Sequence, residues 1–162
     1  MKVLKFPDPA LFKVCIPVTV FETELKLLLD NMYRTMHTAN GVGLAANQVG
    51  LEFRMFVMDT EAGERINVVN PIITKKSLVT CLFKESCLSA PGEQVVTGSR
   101  HEWVEMQFQN EKGEARLRIM KGIDAICIEH EIEHLDGKSF MESKTIPKTK
   151  RKELAKKWGL KM

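Results

Sequence analysis

No apolar run in this chain approaches the ~20 residues needed to span a bilayer, so no helical membrane anchor is expected. The first residues, MKVLKFPDPALFKV, are broken by Pro7, Asp8 and Pro9 and lack the continuous apolar stretch and small-residue cleavage site of a secretory signal. A cytosolic protein, or an organellar one after processing, is the expectation. Cys15, Cys81, Cys87 and Cys127 occur singly, with no C-x-x-C pair, which argues against a zinc knuckle and gives no disulfide framework. Each is therefore a small core residue or a functional thiolate. There is no G-x-G-x-x-G and no Gly-Lys-Ser/Thr, so the small-residue run 41–48 is not a nucleotide loop. Aromatic residues make up only 7%, and the body of the chain has no basic, aromatic-bearing face of the kind a dedicated RNA-binding domain uses.

What is present suits one α+β domain over residues 1–162. Leu25, Leu28, Leu29, Met32 and Met36 form a helical stripe from about Glu22 to Ala39, capped by Thr19 or Thr23 and stopped by Asn40-Gly41. Residues 53–59 and 66–69 read as strands, the second closed by Asn70-Pro71. Val104, Met106 and Phe108 alternate with polar residues, as do Ala115, Leu117 and Ile119, which predicts a hairpin with one apolar face. A helix over Ile123–Leu135 follows, stopped by Gly137, and a short one over about 148–158 ends the chain. The architecture expected is antiparallel sheets packed around a central helix, with N-terminal and C-terminal helices beside it.

That central helix carries His130-Glu131-Ile132-Glu133-His134. Residues i and i+4 share a helix face, so both imidazoles can bind one cation, and Glu131 is placed to act on water at that cation. Two residues compete as third ligand. Glu153 is a downstream carboxylate, as a metallopeptidase would use, but it sits among Lys150, Arg151, Lys152, Lys156 and Lys157. Cys87, in Glu85-Ser86-Cys87-Leu88-Ser89, has the small, turn-forming neighbours of a chain bending close to a metal, and a thiolate with two imidazoles leaves a position open for water. A redox or core thiol is the alternative for Cys87. In Gly41-Val42-Gly43-Leu44-Ala45-Ala46-Asn47-Gln48, the small residues permit close backbone approach, and Gln48 offers a neutral amide donor for an oxyanion.

Nine basic residues against two acidic ones from Lys138 onward give a tail of +7, and with +3 for the whole chain the remainder carries −4. Such a tail reads as a solvated helix face or as a contact for a polyanion such as RNA.

The three segments G-V-G-L-A-A-N-Q, E-S-C-L-S and H-E-I-E-H-L-D-G stand in the order and approximate spacing of the signature motifs of peptide deformylases, and the chain resembles that family from Phe6-Pro7-Asp8 to the terminal helix. The resemblance implies a hydrolase that releases formate from N-formylmethionyl peptides. It implies one divalent metal on Cys87, His130 and His134, usually Fe(II), with Zn, Ni or Co compatible with the same ligands. Glu131 would be the acid/base, and Gln48 with the Leu88 N–H would stabilise the oxyanion. Gly43 would pair its backbone with the peptide, while Val42, Phe83, Glu85, Ile123, Ile126 and Cys127 would line or border the methionine pocket. A monomer is expected, whose tail from Lys148 to Lys161 meets ribosomal RNA. A non-catalytic metal- or peptide-binding module that kept the ligands is the rival. Four positions depart from the family pattern: Asn40 for an acid, Ser86 for glycine, Asp124 for an apolar residue and Glu133 for aspartate.

Overall fold

The computed structural model describes residues 1–160. Its order is α1 (Thr23–Thr38), β1 (Gly43–Ala45), β2 (Met55–Asp59), β3 (Arg65–Lys76), β4 (Thr80–Cys87), β5 (Ala90–His101), β6 (Trp103–Gln109), β7 (Ala115–Lys121), α2 (Gly122–Leu135) and α3 (Lys148–Trp158). Strands β1-β2-β3-β6-β7 form one antiparallel sheet in that order, and β4 and β5 form a second. The chain is α+β as expected, with α2 packed against strands of both sheets.

Helix α1 buries Leu25, Leu29, Met32 and Met36 on the first sheet. Its cap differs from expectation: Glu22 occupies the N-cap and makes no side-chain bond, so neither Thr19 nor Thr23 caps it. Asn40 does adopt the left-handed conformation at the helix end, φ 56°.

Asn70-Pro71 does not end β3. The strand continues to Lys76 because a register shift between Val69 and Ile72 lets Pro71 pass where no ladder donor is required. Asn70 holds this bulge at φ 52° and bonds both the N–H and the carbonyl of Val18 at 2.8 Å, tying the N-terminal segment to the sheet.

The hairpin β6–β7 forms, but its second strand has the opposite phase. Val104 pairs with Met120, Met106 with Arg118 and Phe108 with Arg116, so Leu117 and Ile119 face solvent, each 58% exposed. Strand β7 lies at a sheet edge, where only Met120 reaches the core; the alternation holds, and its inward side is the one opposite to expectation. No sequence pattern points to β4 and β5, since Pro91, Gly92 and Gly98 interrupt any run of strand formers.

Two apolar clusters result. One joins α1, the large sheet and Ala125, Cys127, Ile128 and Leu135 of α2. The other gathers Phe6, Leu11, Cys87, Ala90, Val95, Phe140, Met141, Ile146, Leu154 and Leu160. Gly137, at φ 68°, lets the end of α2 approach the N-terminal segment: a Cβ there would lie 2.5 Å from the Phe12 carbonyl oxygen.

Candidate active site

Cys87 is the last residue of β4, and His130 and His134 lie on successive turns of α2. Their sulfur and ring nitrogens lie within 4.8 Å of one another. Cys87 Sγ is 3.1 Å from His134 Nε2. Phe6 stacks on His134 and Phe140 lies against His130, with ring centroids 6.4 and 5.3 Å apart, so apolar rings back the two histidines.

His130 is oriented from behind. Its Nδ1 meets Glu85 Oε2 at 2.9 Å, leaving Nε2 as the free ligand atom. Glu85 is in turn gripped by Arg100 through Nε at 2.8 Å and an Nη at 2.7 Å, and it accepts from the Thr97 hydroxyl. Arg100 also reaches Glu133 at 2.8 Å. Burial disfavours the Glu85 carboxylate, but His130 and Arg100 outweigh it and hold its pKa at about 2. Sequence reasoning missed Arg100 and Thr97, which belong to no motif; only the strand pairing brings them to Glu85.

The two cysteines nearest the site have opposite character. Burial opposes the Cys87 thiolate, yet His134 and His130 hold its pKa well below the thiol range. Burial and then Glu131 push the Cys127 thiol well above it, so Cys127 stays a neutral, apolar wall. Glu131 is pushed up by burial, with His130 and His134 pulling the other way. Its Oε2 and His134 Nδ1 are buried without a hydrogen-bond partner among the described residues. The orphaned Glu131 oxygen beside a soft N₂S donor set fits a metal ion with water in its open position. Glu153 is not part of this set: its side chain is 63% exposed and pairs with Lys150.

Gln48 is fixed at both ends. Its Oε1 accepts from the Ala45 N–H at 2.8 Å, which turns Nε2 toward Ser89 Oγ at 3.1 Å and Cys87 Sγ at 3.5 Å. Gly43 lies against the acid: a Cβ there would sit 2.4 Å from Glu131 Oε1 and 2.8 Å from Cys127 Sγ.

Val42, Gly43, Gln48, Phe83, Glu85, Cys87, Leu88, Ile123, Ile126, Cys127, His130 and Glu131 all line one cavity of about 680 Å³, and His134 is buried beside it. Strand β1, at the edge of its sheet, forms one side of this cavity, and the end of β4 forms another. Of the four departures, Asn40 and Ser86 are exposed at the cavity. Asp124 accepts the Glu61 N–H at 2.9 Å, so its polarity serves the β2–β3 turn, and Glu133 serves Arg100.

A model of the polypeptide deformylase family matches residues 1–152. The chain belongs to the polypeptide deformylase family. It is 40% identical to the peptide deformylase of Chromobacterium violaceum over 88% of this chain and 85% of that one. It is also 37% identical to an Agrobacterium fabrum protein named peptide deformylase-like, over 96% and 93%. Among solved structures, peptide deformylase from Thermus thermophilus matches with a TM-score of 0.87 at 36% identity, covering 96% of this chain and 90% of that one. That from Synechococcus elongatus in complex with actinonin matches at 0.89 and 30%, covering 99% and 87%.

Proposed function

We propose that this deformylase-family chain acts as one catalytic unit over residues 1–162, hydrolysing the formyl group from N-formylmethionyl peptides, with Fe(II) on Cys87, His130 and His134. One observation carries the reading: a buried acid, a soft three-ligand cluster and a fixed amide donor meet in a cavity beside the free edge of β1.

A divalent ion bound there supplies Lewis acidity toward water and the formyl oxygen. Glu131, with its pKa raised by burial, accepts the proton of the attacking water and later delivers it to the departing amine. The carbon–nitrogen bond breaks, giving formate and a free N-terminus. Gln48 Nε2 and the Leu88 N–H stabilise the charge that builds on the formyl oxygen, each donor contributing ~3 kcal/mol. The pinned Oε1 of Gln48 means this amide needs no reorganisation during reaction. Ile126, Cys127, Phe83 and Val42 receive the methionine side chain, with Ile123 at the margin, while Gly43 extends the sheet by pairing with the peptide backbone. The oxidisable ligand Cys87 makes anaerobic handling necessary.

The reading also gives the basic tail a partner. Nascent formylated chains emerge from ribosomes, and the exposed lysines of α3 contact ribosomal RNA in the cytoplasm; Lys161 lies outside the described residues. The working form is a monomer.

The test is formate release from a formyl-Met-Ala-Ser peptide by anaerobically prepared protein loaded with Fe(II) or Ni(II). Turnover that disappears in Glu131→Ala, with metal content retained, is expected. Stoichiometric metal without turnover would instead indicate a peptide-binding module.

A further inference from the structure

The two histidines of the ligand cluster are held by different means. His130 is fixed through its ring, since Nδ1 meets Glu85 Oε2 at 2.9 Å. His134 has no such support: its Nδ1 is buried without a hydrogen-bond partner among the described residues. The direction of its ring therefore rests on packing against Phe6 and on where the last turn of α2 carries its backbone. That backbone is gripped by Asn47, whose Nδ2 donates to the His134 carbonyl.

Asn47 is 1% exposed and does not line the cavity. Its Oδ1 is buried with no partner among the described residues, a polar atom kept at a cost in stability. The donor half of the amide is the half in use. The His134 carbonyl does not need it for satisfaction, because it also accepts the Gly137 N–H at 2.9 Å. The next two residues are held separately, Leu135 by the Cys15 N–H and Asp136 by Arg54, each at 2.8 Å. Asn47 reaches the ligand residue itself, and it does so from the segment of the oxyanion donor. It directly precedes Gln48, whose own amide is pinned by the Ala45 N–H.

We propose that Asn47 is a positioning residue that locks His134 to the Gln48 segment and so keeps the metal ligands aligned with the amide donor. The inference rests on the reading above, in which His134 is a ligand. A hydrocarbon of similar shape at position 47 removes the donor and the unpaired oxygen together. The fold then loses one bond and sheds one unsatisfied atom, while His134 loses the contact that aligns it.

The experiment measures Co(II) affinity by chelator competition, and the Co(II) absorption bands, in anaerobic wild type, Asn47→Leu and Asn47→Ala. The Tm of each metal-free protein is recorded beside them, and Leu25→Ala, a buried residue of α1, serves as a purely structural control. Metal-free Asn47→Leu should melt within about 4 °C of wild type. It should bind Co(II) about tenfold more weakly, with displaced absorption bands. At saturating metal, kcat for formyl-Met-Ala-Ser should fall about threefold to tenfold at unchanged KM, because Asn47 touches no part of the cavity. Leu25→Ala should lower Tm and leave both cobalt readouts as in wild type. Wild-type affinity and bands in both Asn47 variants overturn the proposal. So does an affinity loss that Leu25→Ala shares, since it would follow stability and not alignment. The cobalt comparison needs no turnover: wild type that binds cobalt yet releases no formate would strike the deformylase reading, and the affinities would still decide on Asn47.

Discussion

At Gly43, one methyl group decides whether the acid and the cavity can coexist. A Cβ would meet Glu131 Oε1 at 2.4 Å and Cys127 Sγ at 2.8 Å, both distances that force movement. Neither neighbour can yield freely, because both side chains are buried on α2. Gly43→Ala should therefore cost about 1–3 kcal/mol in thermal or urea unfolding. It should lower kcat/KM by about 100-fold, since a catalytic group displaced by about an ångström loses its near-attack geometry. Wild-type turnover in this variant would show that Glu131 tolerates displacement and is not the proton carrier. At this scale the sequence is readable where chemistry is written in residue type: His130, Glu131, His134, Gln48 and the small residues around Gly43. The neighbours of Cys87 single it out as the ligand candidate, but they do not reveal that Cys87 and Cys127 differ in ionisation. Proximity to two imidazoles or to a carboxylate separates them, and that is a property of the folded environment.

Strands β4 and β5 act on helix α2 through charge. Arg100 on β5 binds Glu85 on β4 and Glu133 on α2, and Glu85 holds His130, so three elements share one buried network. Arg100→Met should destabilise the fold by about 3–5 kcal/mol, because it strands Glu85 as an uncompensated buried anion. Adding Glu85→Gln should recover part of that loss. The pH dependence follows from the same pair. Burial opposes the Glu85 anion, but His130 and Arg100 lower its pKa from 4.5 to about 2, so the folded state binds its proton less readily than the unfolded chain does. That contribution, ~3 kcal/mol, is complete above about pH 5 and is lost as pH falls through 4.5 toward 2. Urea unfolding at stepped pH should show this acid slope in the wild type and a flatter one in Arg100→Met; identical slopes would refute the pairing. These strands are illegible in sequence for reasons the structure supplies. Pro91, Gly92 and Gly98 mask β5, and register shifts between Cys81 and Phe83 and between Ser86 and Cys87 break the alternation a strand should show. The helices are legible because burying one side of α1 demands a 3.6-residue stripe. Strand β7 misleads because Leu117 and Ile119 alternate correctly while facing outward at a sheet edge.

For the molecule as a whole, the ligand cluster is a fastening between two cores. Cys87 belongs to one apolar cluster, while α2 contributes to the other and presents both histidines toward the first, against Phe6 and Phe140. An ion held there would link β4 to α2, so its removal should loosen more than the site. With free metal at 1,000 times Kd, linkage gives about 4 kcal/mol of stabilisation; a chelator should lower Tm accordingly, and Cys87→Ser should abolish most of that difference. An unchanged Tm after complete metal removal would show that the two cores hold together without it. The other whole-molecule property is the separation of a basic end from a mildly acidic body. Helix α3 turns Leu154 into the second cluster, and Lys157 with Trp158 is committed to Glu93 at 2.6 and 3.1 Å, so these residues anchor the helix. Lys148, Lys152 and Lys156 are exposed and recur every four residues, which places them along one outward face. Replacing these three by Gln keeps helix propensity and the anchor while removing the charged stripe. Ribosome affinity should fall, and its log–log dependence on salt should become shallower by about two units, as lost phosphate contacts require. Turnover of formyl-Met-Ala-Ser should stay at the wild-type rate, because none of the three lines the cavity. Ribosome binding with an unaltered salt slope would make the stripe a solvated surface and leave the charge separation without a role in delivery to nascent chains.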